Sequence, residues 1–165
     1  VGDWTGTVPT ILAGDVPTGD DWDNILDELT AIQAAWTSYV PTLTNLTLGN
    51  GTLSAKYRRV NKTGDLRLTF TLGTTSAVGT NPQFSLPFTL NSEIASSGLL
   101  LIGPATLVDA GTARRMGAVQ ADTATTASII QINATPAVAS ITALSPWTWT
   151  TGDMLMCNLS GLELA

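Results

Sequence analysis

The sequence predicts a mainly β fold, an antiparallel β-sandwich or jelly-roll domain preceded by an extended arm and one short helix. Three observations carry that expectation. From Tyr39 onward apolar residues recur with period two, most plainly in Asp65 to Leu72, where Leu66, Leu68, Phe70 and Leu72 share one face and Arg67, Thr69 and Thr71 the other. Short apolar runs alternate with Gly, Pro and Asn, as in antiparallel folds built from many short strands. A convincing helical period occurs once, upstream of these runs. At 165 residues the chain has room for one well-buried domain and a short appendage.

Residues 1–19 read as the arm. Gly2, Gly6, Pro9, Gly14, Pro17 and Gly19 are spaced so that neither a helix nor a long strand runs through them. Trp4, Val8, Ile11 and Leu12 are too apolar for a solvated linker, so the arm is expected to lie on another protein surface and to attach the chain there. The opening residues Val1-Gly2-Asp3-Trp4 lack the basic and apolar regions of a secretory signal, which leads to the expectation of a protein made in the cytoplasm without export.

The helix is expected within residues 20–37, from Asp21 to Thr37. Asp20 or Asp21 serves as N-cap, and acids crowd the first turns, where the helix dipole favours negative charge. Trp22, Ile25, Leu29, Ile32 and Trp36 are spaced 3, 4, 3 and 4, the a/d pattern of a coiled coil. An amphipathic helix packed on its own domain shares this pattern. The position between an arm and a β domain favours a short parallel bundle, the neck of an oligomer.

Residues 38–165 form the expected β domain. Leu43–Leu48 and Thr52–Val60 flank Gly49-Asn50-Gly51 and read as a hairpin, and Asn61-Lys62-Thr63-Gly64 reads as a second turn. Further strands are expected at Gln83–Leu86, Leu99–Ile102, Thr106–Asp109, Arg114–Gln120, Ser128–Asn133 and Met154–Ser160. The strongly apolar run Leu99–Ile102 is far shorter than the roughly 20 residues that cross a bilayer, so no membrane partner is expected.

Charge and chemistry narrow the function. Charged residues make up 12% of the chain against about 25% in an ordinary soluble domain, and the abundant Thr suits sheets and subunit contacts. Seven of the 13 acids precede residue 29, where there is no base. Lys56, Arg58, Arg59, Lys62 and Arg67 crowd one short stretch, and the run Lys56, Arg58, Arg59 and Lys62 is expected to pair with acids of a neighbouring subunit, the arm and neck of this same protein included. An acidic protein lacks the broad positive footprint of a nucleic-acid binder.

There is no histidine, hence no imidazole base or metal ligand, and the single Cys157 sits in an alternating apolar run as a core residue does. The acidic cluster of Asp20, Asp21, Asp23, Asp27 and Glu28 lacks the turn glycine of a calcium loop, and helix capping accounts for it. Gly49-Asn50-Gly51-Thr52 is not followed by the Lys of a phosphate loop. No catalytic set, cofactor or metal is therefore expected. Packing is the default for Pro146-Trp147-Thr148-Trp149, with stacking on a host surface glycan as the alternative.

Trp36-Thr37-Ser38-Tyr39-Val40-Pro41, Leu48-Gly49-Asn50-Gly51-Thr52, Tyr57-Arg58-Arg59-Val60, Leu72-Gly73 and Phe84-Ser85-Leu86-Pro87, in that order, give the chain its resemblance to a known family. Residues 36–90 are similar to a β domain of small trimeric fibre-like, decoration or minor structural proteins of tailed bacteriophages infecting actinobacteria. Asn61 stands where such domains often have Gly, and Asn also tolerates a left-handed turn. The resemblance implies a homotrimer at the virion surface whose partners are other virion proteins such as the major capsid protein. A capsid decoration protein or head fibre is the expected role, the small size arguing against the alternative, a tail fibre or minor tail protein that binds the host cell surface. A glycan-processing enzyme is the reading from another class, and the missing histidine counts against it, so no enzyme is expected.

Overall fold

A computed structural model describes residues 22, 23, 26, 35–96, 100–132 and 138–165. Among these, ten strands form one antiparallel sheet curled around a single core, and there is almost no helix. The strands are β1 (Thr37–Ser38), β2 (Leu43–Thr47), β3 (Thr52–Val60), β4 (Thr63–Thr71), β5 (Ala77–Ser85), β6 (Leu101–Asp109), β7 (Ala113–Ala121), β8 (Thr126–Ile132), β9 (Val138–Ser140) and β10 (Met154–Glu163). They lie in the order β1-β3-β4-β10-β6-β7-β8-β5-β2, with β9 on the edge of β8 beyond the stretch that β5 covers. A short helix, α1 (Ser92–Ser96), starts where the Asn91 side chain accepts the Glu93 N–H.

Period two does what alternation requires. Leu66, Leu68, Phe70 and Leu72 point inward, where they meet Leu107, Val119, Ile129, Leu155 and Leu159. Cys157 is buried with them, and burial pushes its thiol up to about 12. The turn expected over Asn61-Lys62-Thr63-Gly64 is a tighter, two-residue hairpin of Asn61 and Lys62 joining β3 to β4, with Asn61 at φ 51° and Thr63 and Gly64 already paired in β4.

The expected hairpin about Gly49-Asn50-Gly51 does not form. Both strands exist, but β2 pairs with β5 and β3 with β1 and β4, so the two lie toward opposite ends of the sheet order. Residues 48–51 make a tight turn, with Gly51 N–H donating to Leu48 O at 2.9 Å, and then cross between the sheet's two ends. The link from β4 to β5 makes the same crossing alongside, and Asn50 ties the two together. Its Oδ1 accepts from Thr75 N (2.9 Å) and Thr75 Oγ1 (3.0 Å), and its Nδ2 donates to Thr74 Oγ1 (2.8 Å). A Cβ on Gly49 would lie 2.4 Å from Thr75 O, and one on Gly73 2.3 Å from Asn50 Oδ1. These glycines serve close approach of two crossing links as much as the turn itself.

Two other expectations change. The separate strands at Leu99–Ile102 and Thr106–Asp109 are one strand, β6, which passes through Gly103-Pro104 with a register shift against β7. Proline is tolerated because the ladder between β6 and β10 runs only from Val108 to Ala105, just short of it. The helix does not reach Thr37: Thr37 and Ser38 pair with Tyr57 and Lys56 of β3. Trp22, Asp23 and Leu26 are helical, as expected. Seam residues Ile25, Leu29 and Ile32 and arm residues Trp4, Val8, Ile11 and Leu12 lie outside the described residues. No helix among the described residues is long and apolar enough to cross a membrane.

Candidate functional site

The outer face of the sheet follows from the inner one, because each inward residue is flanked by outward ones. Cross-strand registers align Ser54, Thr69, Met156, Thr106 and Met116 in one row across β3, β4, β10, β6 and β7. The next row is Thr52, Thr71, Met154, Val108 and Arg114. Across five strands these two rows carry a single charge, Arg114. Met116 is 70% exposed and Met156 37%. Charge depletion with exposed methionine is the composition of a surface that binds protein.

The basic stretch is divided by the same alternation. Lys56, Arg58 and Arg67 point to the outer face, where Lys56 stands opposite Arg67 and Arg58 opposite Asp65. Arg58 Nε donates to Asp65 Oδ2 at 2.6 Å, and the other oxygen of Asp65 accepts the Gly161 N–H at 2.9 Å. Gly161 takes a left-handed φ of 69° in a bulge of β10, where the register slips between Leu159 and Leu162. Burial alone would raise Asp65. The Gly161 N–H, the Arg58 guanidinium and the charge of Arg67 together outweigh it and hold the carboxyl below its ordinary value. Arg59 lies opposite Gly64 on the other side of the strand, its Nε donating to Asn61 O, and Lys62 sits at the hairpin tip. The sequence's single basic patch is therefore an outer strip of Lys56, Arg58 and Arg67, with Arg59 and Lys62 elsewhere.

Trp36 belongs to this strip and not to a helical seam. The pairing of Thr37 with Tyr57 carries the preceding residue over β3 and β4, and the indole lies under two guanidinium groups. Arg67 Cζ is 4.3 Å and Arg58 Cζ 5.3 Å from its ring centroid. Sequence reasoning missed this group because Trp36 continued the helical spacing. The signal that could have found part of it is the adjacency of Arg58 and Arg59, which on a strand must face opposite ways.

Other candidate places are less open. Trp147 and Trp149 lie 5.4 Å apart, half-buried against the core, and Trp149 Nε1 donates to Thr142 O, so neither ring is a free platform for a sugar. Two adjoining clefts of about 520 and 430 Å³ flank the end of β10. The first is lined by Lys62, Asn91 and Glu163, and Asn91 Nδ2 donates to Glu163 Oε1; the second is lined by Tyr57, Arg59 and Phe88. Among the described residues no three Asp, Glu, Cys or His side chains come together as a metal site would require. Trp22 and Leu26, one helical turn apart, are both more than half exposed.

In comparisons with known proteins the chain matches no family model, no curated protein and no solved structure.

Proposed function

We propose that this chain is a non-catalytic structural protein of a tailed-phage particle, a homotrimeric capsid decoration protein or head fibre held to the shell by its N-terminal arm. In this reading the curled sheet is a sandwich-type domain set on a short helical neck. The observation that carries assembly is the face of Ser54, Thr69, Met156, Thr106 and Met116, five strands wide and without charge. A solitary soluble domain ordinarily places charges on such a face, and water exclusion there favours contact with a like surface. The virion assignment is supported by the resemblance of residues 36–90, and attachment by the apolar content of residues 1–19.

Light scattering of the full chain at micromolar concentration is the first test, with a trimer expected. Burying a Met side chain contributes roughly 1.5–3 kcal/mol, so replacing Met116 and Met156 by Lys removes that gain and adds a charge at each contact. The double variant is expected to fold and to dissociate. A wild-type monomer, or a variant that assembles as well as wild type, overturns the reading. Particles lacking the protein are then mixed with the full chain and with a form lacking residues 1–19. Loss of binding on truncation is expected, and equal binding by both forms would move attachment to the β domain.

A further inference from the structure

We infer that the outer strip of Lys56, Arg58, Arg67 and Trp36 is a docking site for the acidic leading segment, residues 15–28, of a neighbouring copy of this chain. The inference rests on the homotrimer reading.

Five observations lead there. Lys56 and Arg67 stand directly opposite each other on adjacent strands, an arrangement in which like charges repel. The acid in the strip, Asp65, has both oxygens bonded to Arg58 and Gly161 and meets Arg67 only through its longer-range charge, so one carboxylate stands against the three cations Lys56, Arg58 and Arg67. The Trp36 ring holds the two guanidinium groups in place from one side, so their N–H edges are oriented before any carboxylate arrives. Residues 15–28 carry Asp15, Asp20, Asp21, Asp23, Asp27 and Glu28 with no base, the complement of the strip in sign and density. Finally, Trp22 is 54% exposed and Asp23 is exposed, so this part of the leading segment is not covered by its own domain. A neighbour supplies the missing surface: carboxylates meet Lys56 and Arg67, and the strip's edge adjoins the uncharged Thr and Met face already assigned to assembly.

The test is zero-length carbodiimide cross-linking of the full chain, using trimers assembled from equal amounts of nitrogen-14 and nitrogen-15 protein. Lys56 and Lys62 are the only lysines, and Lys62 at the hairpin tip serves as the control. The expected result is a link from Lys56 to an acid of residues 15–28 in peptides of mixed isotope, with no such link from Lys62. Links of a single isotope would show that the segment folds back on its own chain and would overturn the inference, as would trimers without any link to Lys56. Monomers in the same sample would bring down the homotrimer reading itself, an outcome distinguishable from either of these. As a second measurement, Lys56→Glu with Arg67→Glu should raise the concentration at half-assembly by about fivefold at low salt, the size expected for a few exposed ion pairs. Near 0.5 M salt that difference should fade, because screening removes it from the wild type as well. An unchanged midpoint at low salt would overturn the inference.

Discussion

Replacing Asn50 by Ala should destabilise the domain by about 2 kcal/mol, because it removes three hydrogen bonds that each contribute roughly 0.5–1 kcal/mol where water can replace the partner. The lost bonds are those from Thr75 N and Thr75 Oγ1 to Asn50 Oδ1 and from Asn50 Nδ2 to Thr74 Oγ1. Asn50 and Thr75 are exposed, so no buried group is orphaned and the figure stays near the sum of the net terms. Asn50→Asp keeps the two acceptor contacts and loses one donor contact, so its cost should stay below about 1 kcal/mol. Urea titration followed by tryptophan fluorescence reads both variants. Thermal midpoints should fall by about 2–4 °C per kcal/mol for a domain of this size. A hairpin between β2 and β3 would not need these contacts. An alanine variant within 0.5 kcal/mol of wild type, or an aspartate variant as damaged as alanine, would refute the account of two crossing links tied through one side chain.

Gly73→Ala places a Cβ 2.3 Å from Asn50 Oδ1 and 2.6 Å from Gly51 N, and should cost about 2–3 kcal/mol in the same titration. Cys157, buried and with its thiol pushed up to about 12, should resist an aromatic disulfide reagent at pH 8 in the native state and react at once in denaturant; stoichiometric labelling without unfolding would contradict its place in the core. Asp65 and Asp122 should give opposite pH signatures. Asp65 is held below its ordinary 3.8, so its contribution is complete above that value and is lost as pH falls through the folded-state value; the stability gap between wild type and Asp65→Asn should close in acid. Burial raises Asp122 although Ser128, Gln120 and Gln83 bond to it, so the folded state holds its proton longer and stability falls as pH rises past 3.8. Asp122→Asn should therefore gain on wild type over that rise, and parallel curves would mean that Asp122 does not titrate as its surroundings imply.

The uncharged face and the basic strip are adjacent by register. Arg67 of β4 faces Asn158 of β10, two residues along from the Thr69 and Met156 pair of the uncharged row. Apolar contact at the centre with charges at its margin is the usual anatomy of a protein interface, in which rim charges guide orientation more than they add affinity. In the proposed trimer this arrangement is why charge reversal in the strip should shift assembly by only about fivefold while charges placed at Met116 and Met156 should abolish it.

Much of this fold was legible in the sequence wherever the governing interaction is local. Alternation alone set Leu66, Leu68, Phe70 and Leu72 on the inner face of β4, because a strand turns successive side chains to opposite sides whatever it pairs with. Asn61 and Lys62 marked a hairpin because the left-handed conformation needed there is a property of the residues themselves. What the tertiary structure decided is partnership. Gly49-Asn50-Gly51 has the composition of a hairpin turn, yet the strands on either side of it find other neighbours, β2 along β5 and β3 along the full length of β4. Gly103-Pro104 has the composition of a break, yet β6 continues through it because the neighbouring ladder stops at Ala105. Trp36 continued the spacing of a helix, and only the pairing of Thr37 and Ser38 with β3 placed its ring under Arg58 and Arg67. Residue type reports what a backbone can do locally, whereas pairing is a competition among distant segments for the same edges and the same core.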